Sequence, residues 1–301
     1  MNTVVVRYGE IGTKSRQTRR WFERILINNI REALVSEDIE YKEVFSKHGR
    51  VIVRTNKAVE ASNVLVRVFG IVSLSPAMEV EASLEKVNKT ALKLLRKKAR
   101  ELGIKNPKFR VTARRITKEF PLNSLELQAK VGEYILENNE ECEVDLHNYD
   151  IEVGIEIMEG RAYIFTEKIK GWGGLPIGTQ GKMVGILEDR KSALAIFLMM
   201  KRGVEVIPVY MGGEDVKELW LRIKKFAYGS KGDLIKVESL EKINKIIKDF
   251  GAKGVIKGLQ LGKGAEEEIK KDKGTFIVPV YYPLIALPQE YIEDVAKRIP
   301  L

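Results

Sequence analysis

The run GWGGLPIGTQGKMVGILEDRKSALAIFLMMKRG, residues 171–203, is where the chain changes its pattern. Five glycines and one proline within residues 171–181 keep the backbone out of regular structure and predict a hinge between domains. Beyond it, residues 183–187 read as a short apolar strand and 192–200 as a helix apolar almost all round, hence buried. A strand, a tight turn and a buried helix are the arrangement with which α/β nucleotide enzymes seat phosphate on a helix N-terminus. There, unsatisfied N–H groups and the dipole favour negative charge. Such turns are glycine-rich, so that the backbone can approach the phosphate. This one reads Leu187, Glu188, Asp189, Arg190, Lys191, Ser192, with two carboxylates and no glycine. Two acids complement the dipole of the helix they open, but they repel a triphosphate. A capped helix without a ligand therefore stands beside the nucleotide reading.

Downstream, strands at 204–211, 233–237, 254–259 and 275–280 alternate with helices at 215–227, 240–250, 264–271 and 288–299. That alternation predicts a doubly wound parallel sheet. Its sites lie at the carboxyl ends of the strands, near Glu188, Tyr210, Gly258 and Tyr282.

Upstream, residues 3–8 form a β-branched strand, and a helix runs over about 14–34 with Trp21, Ile25, Leu26, Ile30 and Ala33 at helical spacing. Its other face opens with Arg16, Arg19, Arg20 and Arg24, and of these Arg16, Arg19 and Arg20, with Lys14 at the helix start, are candidates for contact with RNA phosphate. Strands at 39–47 and 50–54 joined through His48 and Gly49, a helix at 59–68 and a strand at 72–81 complete a βαββαβ pattern, the ferredoxin-like split unit. A helix at 83–102 carries seven Lys or Arg outside an apolar face. The strand at 108–116 sets Arg110 and Arg114 on one side by alternation, with Arg115 beside them and Lys118 just beyond, a row suited to phosphate. A helix at 124–137 and a hairpin of 151–158 with 161–170 follow. The expected domains are thus 1–77, 78–170, the hinge 171–181, and 182–301.

The net charge of +10 over 301 residues is unevenly distributed. From Lys86 to Lys118 there are 13 basic residues and one acid, whereas Glu119 to Glu167 holds 13 acids and two basic residues. A polarised domain beside a basic one points to a polyanion track. No apolar run is long enough for a membrane span and the N-terminus lacks a signal-peptide pattern, so a cytoplasmic protein is expected. One cysteine, Cys142, and two histidines exclude an internal disulfide and a Cys/His zinc cluster. Cys142 sits among carboxylates, which disfavour its thiolate. Low Cys and His with abundant Lys and Glu point to a thermophilic source.

Several passages together resemble the tRNA 4-thiouridine synthetase family, the tRNA sulfurtransferases also linked to thiamine thiazole synthesis. They are RYGEIGTKSR from Arg7, ARRITKEFPLNSLELQAKVGEYIL from Ala113, VDLHNYDIEVGIEI from Val144, KGWGGLPIGTQGK from Lys170 and LMMKRGVEVIPV from Leu198. The resemblance implies an N-terminal ferredoxin-like domain and a THUMP domain that bind the acceptor end of tRNA, then a PP-loop pyrophosphatase domain that uses ATP and magnesium to adenylate a uridine. A cysteine persulfide then supplies sulfur. The family's S-G-G-x-D-S loop falls on Leu187 to Ser192, where only Ser192 is retained. The family's later G-x-S-L-G-Q falls on Gly258 to Lys263, where the glycines remain but the closing glutamine is replaced by Lys263; the S-Q-T beyond it and the sulfur-relay cysteine are absent. The resemblance with these departures implies a tRNA-binding protein without ATP chemistry of its own, working as a homodimer or beside a separate catalytic or sulfur-donor protein. The alternative is an active enzyme that uses ATP and magnesium through Ser192, Lys191 and Lys263 with an external sulfur donor.

Overall fold

The computed structural model describes residues 1–301 except Glu140, Glu214, Lys231 and Pro300. Of the acidic connection around Cys142, Glu140 lies outside the described residues. The chain forms two compact units that interleave along the sequence: Met1–Tyr8, Leu34–Val66 and Val72–Gly171 in the first, and Gly9–Ala33, Arg67–Ile71 and Trp172–Leu301 in the second.

The first unit is built on a nine-stranded sheet. β1 (Thr3–Tyr8) pairs antiparallel with β3 (Arg50–Arg54), which pairs with β2 (Glu43–Lys47). His48 and Gly49 make the turn between β2 and β3, with φ of 47° and 76°. Positive φ at both central residues is what a two-residue hairpin needs to match strand twist. β2 starts at Glu43, so the expected strand loses its first four residues. After α2 (Ala58–Leu65), β4 (Ile71–Glu81) lies beside β1, giving the order β2-β3-β1-β4 of a ferredoxin-like unit. The same β4 carries the sheet onward. Its later residues pair with β8 (Arg161–Phe165), then come β7 (Ile151–Met158), β5 (Lys108–Arg115) and β6 (Glu143–Val144), while β9 (Ile169–Lys170) pairs with the start of β4.

Alternation along β5 and β7 turns Phe109, Val111, Ile151, Val153 and Ile155 to one face. There they meet Val87, Ala91 and Leu95 of α3 (Leu84–Leu102) and Leu127, Val131 and Ile135 of α4 (Ser124–Glu137). Elsewhere in this sheet, Val5, Ile52, Ala77, Met158, Tyr163 and Phe165 close a second small core. A three-membered ion cluster joins β1, β3 and β7. Glu156 accepts from Arg7 Nε at 2.7 Å and from Arg50 Nε at 2.7 Å, with all three side chains nearly buried.

The second unit holds the parallel sheet anticipated from the alternation. Its order is β12 (Ile235–Lys236), β11 (Glu205–Tyr210), β10 (Lys182–Ile186), β13 (Val255–Ile256), β14 (Val280–Tyr281). One layer of apolar side chains, Val184, Ile186, Ile207, Val209 and Val255, packs under α7 (Leu240–Phe250). The other layer holds α5 (Arg190–Lys201), α6 (Asp215–Lys224) and α9 (Gln289–Arg298). α8 (Ala265–Thr275) runs to Thr275, so the last strand begins later than its sequence pattern predicts. As expected, α5 is buried almost all round: Ala193 through Phe197 and Met200 are all inaccessible.

α1 (Arg16–Ser36) buries Phe22, Leu26, Ile30, Ala33 and Leu34, whereas Trp21 is 43% exposed. Leu26, Ile30 and Ala33 are thus where the sequence places them and Ile25 is half-buried, while Phe22 rather than Trp21 opens the inward stripe. Residues 172–181 carry neither helix nor strand, yet they are laced into the second unit. Leu175 N donates to Lys201 O, Gln180 N to Gly203 O, and Asn29 Nδ2 to Ile177 O. At Gly174, φ is 75°, and a Cβ would lie 2.1 Å from Lys201 O, so only glycine fits.

Candidate functional site

In an open parallel sheet, ligands bind beyond the carboxyl ends of the strands where the winding reverses. Here β10 has β11 on one side and β13 on the other, so the reversal falls between β10 and β13. The turn that follows β10 and the turn that follows β13 both line a cleft of about 440 Å³. Its walls include Glu188, Asp189, Lys191, Ser192, Lys257, Gly258 through Lys263, Glu268 and Gln289.

The turn into α5 is closed on itself. Asp189 is the N-cap, and its Oδ1 accepts from Ser192 N at 2.8 Å. Ser192 Oγ accepts in return from Glu188 N and Asp189 N, both at 2.8 Å, and Ala193 N donates to Asp189 O. This reciprocal capping box satisfies the amides at 188, 189 and 192, and the first helical bond satisfies that at 193. A Cβ on Gly258 would lie 2.3 Å from Ser192 N, so the β13 turn presses its backbone directly onto the Lys191–Ser192 peptide.

Of the charged residues that line the cleft, Lys257 and Glu268 are paired, whereas Lys191, Lys263, Glu188 and Asp189 have no ion-pair partner among the described residues. Lys257, nearly buried, bonds Glu268 at 2.7 Å and Asp272 at 3.0 Å. Burial alone would lower its ammonium, but those two carboxylates more than offset this and hold it above the ordinary lysine value. Tyr282 donates its hydroxyl to Asp272 at 2.7 Å; burial and that bond push the phenol up. Glu188 keeps a solvent-exposed surface, but protein crowds its inner side. Partial desolvation, with Asp189, Glu268 and Asp272 as like charges, raises its carboxyl against the pull of Lys257. Arg190 donates to Leu301 O. Among the described residues, no group of three His, Cys, Asp or Glu is arranged to hold a metal ion.

The cations read from the sequence fall into both units. In the second, Lys14, Arg16 and Arg20 are exposed at the start of α1, and among the described residues none of them has an ion-pair partner. Arg19 is half-buried and donates to Gly12 O, steadying the turn before the helix. In the first unit, Arg114 and Lys118 are exposed and likewise without an ion-pair partner among the described residues. Arg110 is engaged by Glu152 at 2.9 Å and lies 4.0 Å from the centre of the Tyr149 ring. Arg115 serves the architecture instead. Its Nη1 donates to Phe120 O at 2.8 Å and Leu122 O at 3.2 Å, holding the connection that leads into α4. By contrast, the basic face of α3 is partly neutralised, with Lys86 on Glu81, Lys89 on Glu85 and Lys97 on Glu101.

Sequence reading missed the Lys257, Glu268, Asp272 and Tyr282 cluster as a unit, because only the fold brings those four positions together. Cys142 is buried, and its thiol is pushed up mainly by that burial.

Residues 3–75 match the ThiI ferredoxin-like domain family and residues 81–167 match the THUMP domain family. A probable tRNA sulfurtransferase of Thermococcus kodakarensis is 60% identical over 337 aligned residues, spanning 99% of this chain and 87% of that protein. Another from Methanocaldococcus jannaschii is 34% identical over 336, with 98% and 87% covered. The crystal structure of PH1313 from Pyrococcus horikoshii superposes with a TM-score of 0.94 at 69% identity over the full length of both chains. A 4-thiouridine synthetase crystallised as an RNA complex with bound ATP superposes at 0.82 with 26% identity, covering 99% of this chain and 85% of that one. On its domains and its relatives alike, this chain belongs to the tRNA sulfurtransferase family.

Proposed function

We propose that this chain is a tRNA-binding member of the family that has kept the scaffold of the ATP domain without its ATP chemistry. The observation that carries the reading is the capping box at Asp189 and Ser192. A triphosphate cradle needs backbone N–H groups aimed outward at the ligand. In this turn four of them are satisfied from within. The Glu188 and Asp189 carboxylates add repulsion of about 1 kcal/mol per close exposed charge pair, more where water is excluded. Lys257, the cation deepest in the cleft, is already held by Glu268 and Asp272. The residues present do not fit ATP.

The unpaired cations at the start of α1 and at Arg114 and Lys118 support contact with the phosphates of tRNA. We place the acceptor end there by likeness to the family. The setting is cytoplasmic, the working form a homodimer, and sulfur chemistry toward 4-thiouridine or the thiamine thiazole falls to a separate catalytic or sulfur-donor protein. Among the described residues, no helix is long and apolar enough to cross a membrane. If about five phosphates are neutralised, log affinity should fall by roughly three to five per tenfold rise in salt. Titrating tRNA at two salt concentrations tests this, and weak, salt-insensitive binding refutes it.

One observation favours a second reading: Ser192, Lys191 and Lys263 all line the same cleft. An active sulfurtransferase using them with an external sulfur donor would release AMP or pyrophosphate when given ATP, magnesium and tRNA. Calorimetric titration with ATP and magnesium, with and without tRNA, separates the two. Heat of binding at micromolar nucleotide would end the first reading, and silence would end the second.

A further inference from the structure

α4 carries two apolar stripes, and among the described residues only one of them has a partner within the chain. Leu127, Val131 and Ile135 are buried in the core of the first unit. Leu125, Ala129, Gly132 and Leu136 follow at intervals of four, three and four residues, the seam spacing of two packed helices. They face an open groove of about 870 Å³ whose other wall is formed by Val144 and Leu146, at and just beyond the edge strand β6. Leu125 is 75% exposed and Leu146 61%, with Leu136 and Val144 also open. Four exposed aliphatics converging on one groove are more than scattered surface hydrophobes.

The middle of the stripe sharpens the reading. Gly132 sits in the interior of a 14-residue helix, where glycine is the poorest choice after proline. A Cβ built there would meet nothing within 4 Å, so no neighbour in this chain requires the glycine. Together with Ala129, it allows a second backbone to approach closely. Charge decides what that backbone belongs to. Glu133 and Glu137 line the groove, and Glu143 and Asp145 flank Val144. Lys130 pairs with Glu133, and Lys108 lies 3.9 Å from Glu143 and 3.7 Å from Asp145. Four acids thus face two lysines, and Glu137 has no ion-pair partner among the described residues. An acidic rim repels RNA phosphate. It also repels its own image, so α4 of a second copy is a poor mate, and the basic outer face of α3 belongs to a helix whose apolar face is already buried.

We propose that this groove is a docking site for a basic amphipathic helix of a partner protein, with leucine-like side chains seated between α4 and β6 and lysines or arginines meeting the rim. The helix-in-groove mode reads as anchors at i, i+3, i+4 and i+7.

The probe is a fluorescein-labelled 18-residue peptide with leucines at those positions and lysines on its flanks, titrated by anisotropy into the full chain. A sister peptide with glutamates on its flanks serves as the comparison. Binding of the lysine peptide alone is expected, weakened at least tenfold by Leu125→Asp, Leu146→Asp or Glu137→Lys. Gly132→Leu is expected to keep or raise the thermal midpoint while abolishing binding, a combination that misfolding would not produce. Absent binding, or equal binding of both peptides, overturns the proposal. So does a dimer that dissociates on Leu125→Asp, which would make a second copy the occupant, or a loss of tRNA affinity in that variant, which would make the groove an RNA surface.

Discussion

Replacing Glu156 by glutamine tests the ion cluster that ties β7 to β1 and β3. The carboxylate meets Arg7 and Arg50 at 2.7 Å each, and no member of the trio is more than 11% exposed. Removing the shared anion leaves two guanidinium groups facing each other with little water to screen them, and breaking a buried pair from one side costs about 3–5 kcal/mol. For a unit of this size each kcal/mol lowers the melting temperature by roughly 2–4 °C, so a fall of about 6–20 °C is expected. Denaturant unfolding should be followed by far-UV circular dichroism with tryptophan emission recorded alongside. Trp21, Trp172 and Trp220 all belong to the second unit, so the dichroism should carry most of the shift. The dependence on pH adds an internal control. Burial would raise the Glu156 carboxyl, but Arg7 and Arg50 more than offset it and hold it below its ordinary 4.5. Its contribution is therefore present above that value and lost as pH falls through the lower folded one. The gap between wild type and Glu156→Gln should close in acid. A difference under about 1 kcal/mol at neutral pH would refute the argument.

Glu188→Gln acts in the opposite sense. Its folded carboxyl is raised above 4.5, so the ionised form destabilises the fold as pH climbs through the raised value. The variant should be the more stable form at neutral pH and equal to wild type in acid, as read by thermal melts across pH, and it should still fail to bind ATP because the capping box persists. Arg16→Ala with Arg20→Ala should weaken tRNA binding and lower the salt slope by about 1.4–1.8, since each released phosphate contact contributes 0.7–0.9. An unchanged slope would remove these two residues from the interface. Arg114→Ala with Lys118→Ala is the matching test in the first unit, since Arg115 cannot be removed without loosening the connection into α4. Cys142 should alkylate slowly at pH 8 in the native protein and rapidly after denaturation, because burial holds its thiol up; mass spectrometry of iodoacetamide adducts would show it.

Where local pattern and tertiary role agree, the sequence was sufficient: β1, β3, α4, β7 and α7 begin and end where their periodicity places them. The strand at 39–47 reads too long because apolar character alone does not supply pairing partners, and β2 pairs only from Glu43. Glu152 and Glu156 look alike in the alternating IEVGIEIM. Glu152 is half-open beside Arg110, whereas Glu156 is buried beneath two arginines from strands more than a hundred residues away. No local signal separates them. At the cleft, the absence of glycine between Leu187 and Ser192 is visible in the letters. What the letters withheld was the direction of the amides, which depends on how the Asp189 and Ser192 side chains turn. Likewise, Arg110, Arg114 and Arg115 form one row in sequence, but Glu152, solvent and the carbonyls of Phe120 and Leu122 give them three different occupations.

The interleaving of the two units also bears on synthesis at the ribosome. The second unit combines residues 9–33 with residues from 172 onward, so the segment containing most of α1 emerges early and cannot complete its packing until 34–171 have been made. At roughly 5–20 residues per second that wait is on the order of ten seconds. Throughout it, Phe22, Leu26 and Ile30 lack the Trp172–Leu301 part of their unit. Nascent chains stalled between residues 40 and 170 should therefore recruit holdase chaperones through this helix, and release them once translation passes the glycine-rich segment.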